Sequence, residues 1–183
     1  MANLKELVGQ ANGWLRISEI PDYPKALNGL QLENSGKVLA IAAAVDACLP
    51  VIREACQSGV NLLVVHHGLF WQGTQRIEGA IYDKLKLAID HDLAIYSAHI
   101  PLDVHPELGN NACLMSALGL GEKVLPFARW EGIDLGLRAE VSLSRDELVA
   151  AVEAATGAAA HVCAGGPDRV SQIGVVTGGA GSQ

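Results

Sequence analysis

A chain of 183 residues has room for one large domain or two small ones; half of its residues are apolar and only 4% aromatic, so Ala, Val and Leu must fill the core. Thirteen basic against twenty acidic residues give a net charge of −7, which disfavours non-specific binding to nucleic acid or to acidic membranes. No segment is long and apolar enough to span a bilayer, the opening residues 1–6 lack the apolar core of a signal peptide, and Cys48, Cys56, Cys113 and Cys163 form no C-x-x-C pair, so a cytoplasmic protein with reduced cysteines is expected.

The spacing of Leu4, Leu7, Val8, Ala11 and Leu15 predicts a helix from Asn3, its N-cap, to about Arg16. Pro21, Pro24 and the turn pair Asn28-Gly29 mark an irregular stretch. Residues 38–45 read as a buried strand with Asp46 at its carboxyl end, followed by a helix over 49–58 that stops at Gly59. Residues 61–65, Asn-Leu-Leu-Val-Val, form the next strand, at whose carboxyl end stand His66 and His67, with Gly68 letting the backbone turn away. A helix over 80–91 and a strand over 93–98 ending at His99 complete a strand-helix alternation that predicts a parallel sheet with helical crossovers, the strands ending at Asp46, His66 and His99 being neighbours.

Pro101 and Pro106 predict a loop beyond His99, carrying Asp103, His105 and Glu107; Asn110 or Asn111 then caps a helix to Leu118. Residues 122–131 read as a connector. A second strand-helix pattern starts with a strand over 133–141, and Ser144-Arg145-Asp146-Glu147 is a capping box opening a helix that ends at Gly157. Strands near 158–163 and 170–176 follow, and then the glycine-rich run 177–183. That run fits neither G-x-G-x-x-G nor a P-loop, so a flexible turn is favoured over an anion cradle.

Crevices beyond the carboxyl ends of parallel strands are where ligands bind in open α/β sheets, and three histidines are expected there. Side chains alternate along a strand, so His66 and His67 should point apart. For both to serve one site the chain must already bend at His67; otherwise each serves a different ion. Imidazole and carboxylate donors, with no thiolate in reach by motif, suit Zn, Mn, Fe or Ni as divalent ions. His99 has three open roles: a partner hydrogen-bonded behind a ligand, an acid/base group, or a further ligand. A backbone-bonded strand-end histidine is as good a reading of it. His105 has the same open roles, with a solvated loop residue the favoured reading, and Asp46 reads either as a group in the same crevice or as a helix N-cap. No G-x-S-x-G elbow or cysteine nucleophile motif is present.

The combination Asn28-Gly29-Leu30-Gln31, Val65-His66-His67-Gly68-Leu69-Phe70-Trp71, His99-Ile100-Pro101-Leu102-Asp103-Val104-His105-Pro106 and Gly109-Asn110-Asn111 closely resembles the NGG-interacting-factor-three-like family, also called GTP cyclohydrolase 1 type 2 homologues. The resemblance runs from the first helix to Thr177-Gly178-Gly179. It implies an α/β chain with a layered sheet and helical crossovers, built of two related halves: 1–121, carrying the metal motifs, and 122–183, the incomplete start of the second. It implies a dinuclear metal centre with His66, His67 and Asp103 as ligands, and a ring-like homohexamer. The family completes its centre with a later His and Glu from an H-x-x-x-E-type motif, which this sequence lacks, so fewer than two ions are expected here. The strand over 170–176 is expected to show an exposed apolar face or an unpaired edge. The implied activity is metal-dependent hydrolysis of a nucleotide-like substrate by metal-bound water, with a non-catalytic metal-handling or partner-binding scaffold as the alternative.

Overall fold

The computed structural model describes residues 2–71, 73 and 75–179. In chain order the elements are β1 (Ala2–Asn3), α1 (Leu4–Trp14), β2 (Gly29–Leu32), β3 (Lys37–Val38), β4 (Ile41–Asp46), α2 (Leu49–Gln57), β5 (Leu62–His67), α3 (Ala80–Asp90), β6 (Ala94–Ser97), α4 (Ile100–Asp103), α5 (Asn110–Ala117), β7 (Leu125–Trp130), β8 (Ile133–Ser144), α6 (Arg145–Thr156) and β9 (Arg169–Val175). The chain is α/β, and its contacts divide it into two compact units between Leu102 and Asp103. The helix α5 packs with β8, β9 and α6 in the second unit, where Met115 is part of the core.

The first unit is built on a four-stranded sheet in the order β2-β6-β5-β4. The strands β4, β5 and β6 are parallel, as the crossovers require, with Ala44 opposite Val65 and Val65 opposite Ser97. The stretch expected to be irregular contributes β2, which joins β6 antiparallel with a bulge between Leu30 and Leu32. Both sheet faces are covered. On one, Leu63, Val65 and Ile95 pack against Ile52 and Ala55 of α2 and Leu85 and Ala88 of α3; on the other, Leu62, Ala94 and Tyr96 meet α1 through Leu4 and its neighbours. This two-sided burial is why the central strands read as unbroken apolar runs. The helix α1 starts where expected, with the Asn3 side chain accepting from the Lys5 and Glu6 amides.

The expected loop after β6 instead holds the helical turn α4, with Pro101 in its first turn, where no backbone N–H is needed. Neither expected asparagine caps α5. Gly109 stands at that position, and Asn110 and Asn111 spend their side chains on Asp103, Leu135 and Thr177.

The second unit is a three-stranded antiparallel sheet, β7-β8-β9. The expected connector is the strand β7, joined to β8 by a two-residue turn in which Glu131 and Gly132 both have positive φ, 43° and 86°. That is the hairpin geometry whose twist matches its strands, and Pro126 is tolerated because β7 is an edge. The capping box forms as read: Ser144 Oγ accepts from the Glu147 amide, and Glu147 accepts from the Ser144 amide. The helix ends at Gly157 in the left-handed region. No strand forms over 158–163. There is no paired partner for it among the described residues, and the following Gly165, Gly166 and Pro167 give their carbonyls to the Arg145 guanidinium. Among the described residues β9 pairs on one side only, but its apolar face is covered: Val170, Ile173 and Val175 pack into the core with Met115 and Ala139. The exposed apolar face expected there is absent, since Ser171, Gln172 and Gly174 take the outer positions. No helix among the described residues is long and apolar enough to cross a membrane.

Candidate metal site

The parallel register delivers three histidines to one edge of the first sheet. His66 and His67 end β5, and His99 follows β6 after Ala98. Their ring centroids lie 4.7 Å (66–67), 4.9 Å (66–99) and 5.7 Å (67–99) apart. One nitrogen from each falls within 4.8 Å of the others, a spacing that a single ion can bridge. Adjacent residues of a regular strand would point apart, so the chain has turned at its end. Pairing to β6 stops at Val65, while pairing to β4 continues to His67 opposite Asp46.

All three rings are held from behind. His66 Nδ1 lies 3.0 Å from the Ala98 carbonyl oxygen, His67 Nδ1 2.7 Å from Asp46 Oδ1, and His99 Nδ1 2.9 Å from Asp22 Oδ1. A carbonyl or carboxylate oxygen carries no hydrogen, so each Nδ1 must donate. In a neutral imidazole the lone pair then resides on Nε2. Three Nε2 acceptors held by oxygen partners at Nδ1 is the arrangement that metal-binding histidines use to fix tautomer and orientation.

The two carboxylate partners differ. The His67–Asp46 pair is open, with side chains 43% and 58% exposed, whereas the His99–Asp22 pair is enclosed, at 12% and 6%. Burial pushes the Asp22 carboxyl up, but hydrogen bonds from His99, Asn28 and the Tyr23 amide outweigh it and hold the group below the ordinary carboxylate range. Trp71 meets His99 edge-on at 4.2 Å and His67 at 5.5 Å, while Tyr23 stacks on His99 at 6.0 Å. Gln31 braces the turn beyond His67, donating to the Leu27 carbonyl and accepting from the Leu69 amide, each at 2.6 Å.

Asp103 belongs to the second unit. Its Oδ1 accepts from Asn110 Nδ2 at 2.7 Å and from the Thr177 hydroxyl at 3.3 Å, and its carbonyl accepts from Asn111. His105 Nδ1 accepts from the Glu107 and Leu108 amides, which gives this residue a turn-forming role. Thr177 also binds Asn111 through its amide, and the remainder of the glycine-rich run, residues 180–183, lies outside the described residues. Asp46 proves to be a partner of His67, while Cys48 takes the N-cap position of α2. Sequence reasoning missed Asp22 and the bracing by Gln31. The one available signal for Asp22 was a polar residue locked between Pro21 and Pro24, and Gln31 sat unexplained beside Asn28-Gly29.

Comparison with known proteins identifies the family. The family model described as Duf34/NIF3 (NGG1p interacting factor 3) matches residues 2–183. The GTP cyclohydrolase 1 type 2 homolog of Deinococcus radiodurans is 41% identical over 180 residues, covering 97% of this chain and 67% of the relative. That of Pyrococcus abyssi is 43% identical over 132 residues, covering 72% of this chain and 52% of the relative. A solved structure described as protein ybgI, of unknown function, superposes with a TM-score of 0.86 at 34% identity, over 99% of this chain and 72% of the other. The chain thus spans between about half and two thirds of the length of these two curated relatives.

Proposed function

The chain belongs to the Duf34/NIF3 family, and from that premise we propose that it binds a divalent cation through Nε2 of His66, His67 and His99 and uses it to hydrolyse a nucleotide-like substrate. The observation that carries this reading is the convergence of three histidines whose Nδ1 positions are all taken by oxygen acceptors. Three neutral nitrogens suit Zn, Mn, Fe or Ni, and three protein ligands leave a position open for chemistry. Such an ion would supply Lewis acidity and a water of lowered pKa.

The chain's own residues supply the setting. Asp46 and Asp22 place two carboxylates one hydrogen bond behind His67 and His99, where they would offset the positive charge of a bound cation. Trp71 and Tyr23 wall the histidines with aromatic surface on which a planar ring can stack. The substrate class rests on the name of the relatives. The resemblance also implies Asp103 as a ligand, a second ion, and self-association into a ring. The apolar residues Leu39, Ile41 and Val45, exposed on and beside the edge strand β4, are compatible with subunit contacts. Four unpaired cysteines fit a reducing compartment such as the cytoplasm.

The test is elemental analysis of freshly purified protein, followed by GTP turnover with and without added metal. Metal uptake that is lost in His67→Ala, with metal-dependent turnover lost alongside it, is the expected result. Absence of uptake by the wild type refutes the site. Uptake without turnover of GTP or related nucleotides assigns the chain to metal handling instead.

A further inference from the structure

Resting on the metal reading above, we propose that Asp22 is the positioning residue of the site: it holds His99 by its Nδ1–H and so presents Nε2 as the donor that completes the histidine cluster. The carboxylate is 6% exposed and collects four different donors. His99 Nδ1 approaches both of its oxygens, at 2.9 and 3.1 Å. Its Oδ1 also accepts from the Tyr23 amide at 2.7 Å, and its Oδ2 from Asn28 Nδ2 at 2.7 Å and the Ile100 amide at 3.2 Å.

This network does more than satisfy a buried charge. Asn28 clamps both partners at once, because its Oδ1 accepts from the His99 amide at 2.8 Å while its Nδ2 holds Asp22. The His99 ring therefore has its backbone fixed by Asn28, its faces and edge flanked by Tyr23 and Trp71, and its Nδ1 fixed by Asp22. Only Nε2 is left to meet a ligand. The Nδ1 partners of the other two histidines are of a different kind. His66 leans on a backbone carbonyl that no substitution removes, and the Asp46 partner of His67 is largely solvated, where water can replace it. Neutral imidazole left to itself favours the Nε2–H tautomer, which cannot ligate through Nε2. Asp22 reverses that preference at the one buried member of the cluster. It binds nothing directly, and an asparagine in its place can turn its amide N–H toward Nδ1 and impose the wrong tautomer.

The experiment is a long-range 1H–15N spectrum of the histidine rings in metal-free wild type and Asp22→Asn, paired with Zn2+ affinity by chelator competition. We expect His99 to be protonated at Nδ1 in the wild type. In Asp22→Asn it shifts toward Nε2–H while the His66 and His67 signals stay in place, and the Zn2+ dissociation constant rises about 10- to 100-fold. A merely structural role for Asp22 would move all three histidine signals together. Wild-type His99 protonated at Nε2 overturns the proposal without needing any variant, even if Asp22→Asn fails to fold. Unchanged Zn2+ affinity in a folded Asp22→Asn overturns the role of Asp22 alone. A wild type that takes up no Zn2+ overturns the metal reading on which it rests.

Discussion

Gly68, which follows the paired histidines, has a backbone that any residue can adopt; its φ lies outside the left-handed region. The turning freedom expected of it is therefore not what the site uses. What it provides is space, since a Cβ at this position would lie 2.6 Å from Gln31 Cδ. The carboxamide cannot simply swing away. Its two hydrogen bonds, to the Leu27 carbonyl and from the Leu69 amide, tie β2 to the turn after β5. Gly68→Ala should displace Gln31 and break both, at about 1 kcal/mol each. Leu69 is buried, so its amide loses a partner away from water, and the total becomes about 2–4 kcal/mol. Gln31→Ala alone should cost a similar amount. In the double variant the new methyl occupies the vacated space, so the loss stays near that of Gln31→Ala, a coupling of about 2–4 kcal/mol. Urea unfolding of the four proteins measures this cycle, and Zn2+ uptake should follow it because His67 precedes the turn. Additivity within about 0.5 kcal/mol, or a Gly68→Ala protein as stable as the wild type, would refute the steric account.

The buried Tyr96 phenol, donating to Asn12 Oδ1 at 2.9 Å, has its pKa pushed by desolvation from 10.0 up to about 12. The unfolded chain ionises first, so the stability this group contributes is whole below pH 10 and drains away between pH 10 and 12. Two pH units at about 1.36 kcal/mol each set an upper bound of about 2.7 kcal/mol, which denaturation curves across that range should show in the wild type and not in Tyr96→Phe. Ser144→Ala removes the side-chain acceptor of the α6 cap and should cost about 1 kcal/mol by thermal or chemical denaturation. Asp103→Asn should lower metal uptake if the ligand role implied by the family resemblance holds. His105→Ala should leave uptake unchanged, because its Nδ1 already serves the Glu107 and Leu108 amides; elemental analysis of both proteins checks the pair.

Elements whose identity is local were legible in the sequence. The strands β4 and β5 carry apolar residues on both faces, α1 and α6 announce their starts with Asn3 and Ser144, and the crossover lengths dictate a parallel order. What stayed hidden depends on partners far along the chain. The strand β2 exists because β6 offers it an antiparallel edge, and the four residues Gly29–Leu32 carry too little pattern to say so. The connector was a strand for a related reason: Pro126 argues against a central strand but not against an edge, and the Glu131-Gly132 turn was the overlooked sign of a hairpin. The reverse error, a strand over 158–163, gave propensity more weight than pairing.

The site divides along the same line. That His66, His67 and His99 would meet followed from three parallel neighbours ending together. How two adjacent histidines come to share one centre did not, because period-two alternation forbids it in a regular strand. The register resolves the conflict. His67 is still paired with β4, yet β6 has already let go after Ser97, whose hydroxyl donates to the His66 carbonyl at 3.2 Å. With one flank released, the last two residues of β5 can lean over the carboxyl edge instead of standing above and below the sheet. Each ring then takes the nearest acceptor: the carbonyl of Ala98 from the strand that departed, or Asp46 from the strand that stayed. The unequal ending of two parallel strands thus does two tasks, bringing the rings to within 4.7 Å of each other and supplying the oxygens that set their tautomers. Lengthening the β5–β6 pairing past Val65 would undo both, which ties the chemistry of the cluster to the point at which β6 stops and α4 begins.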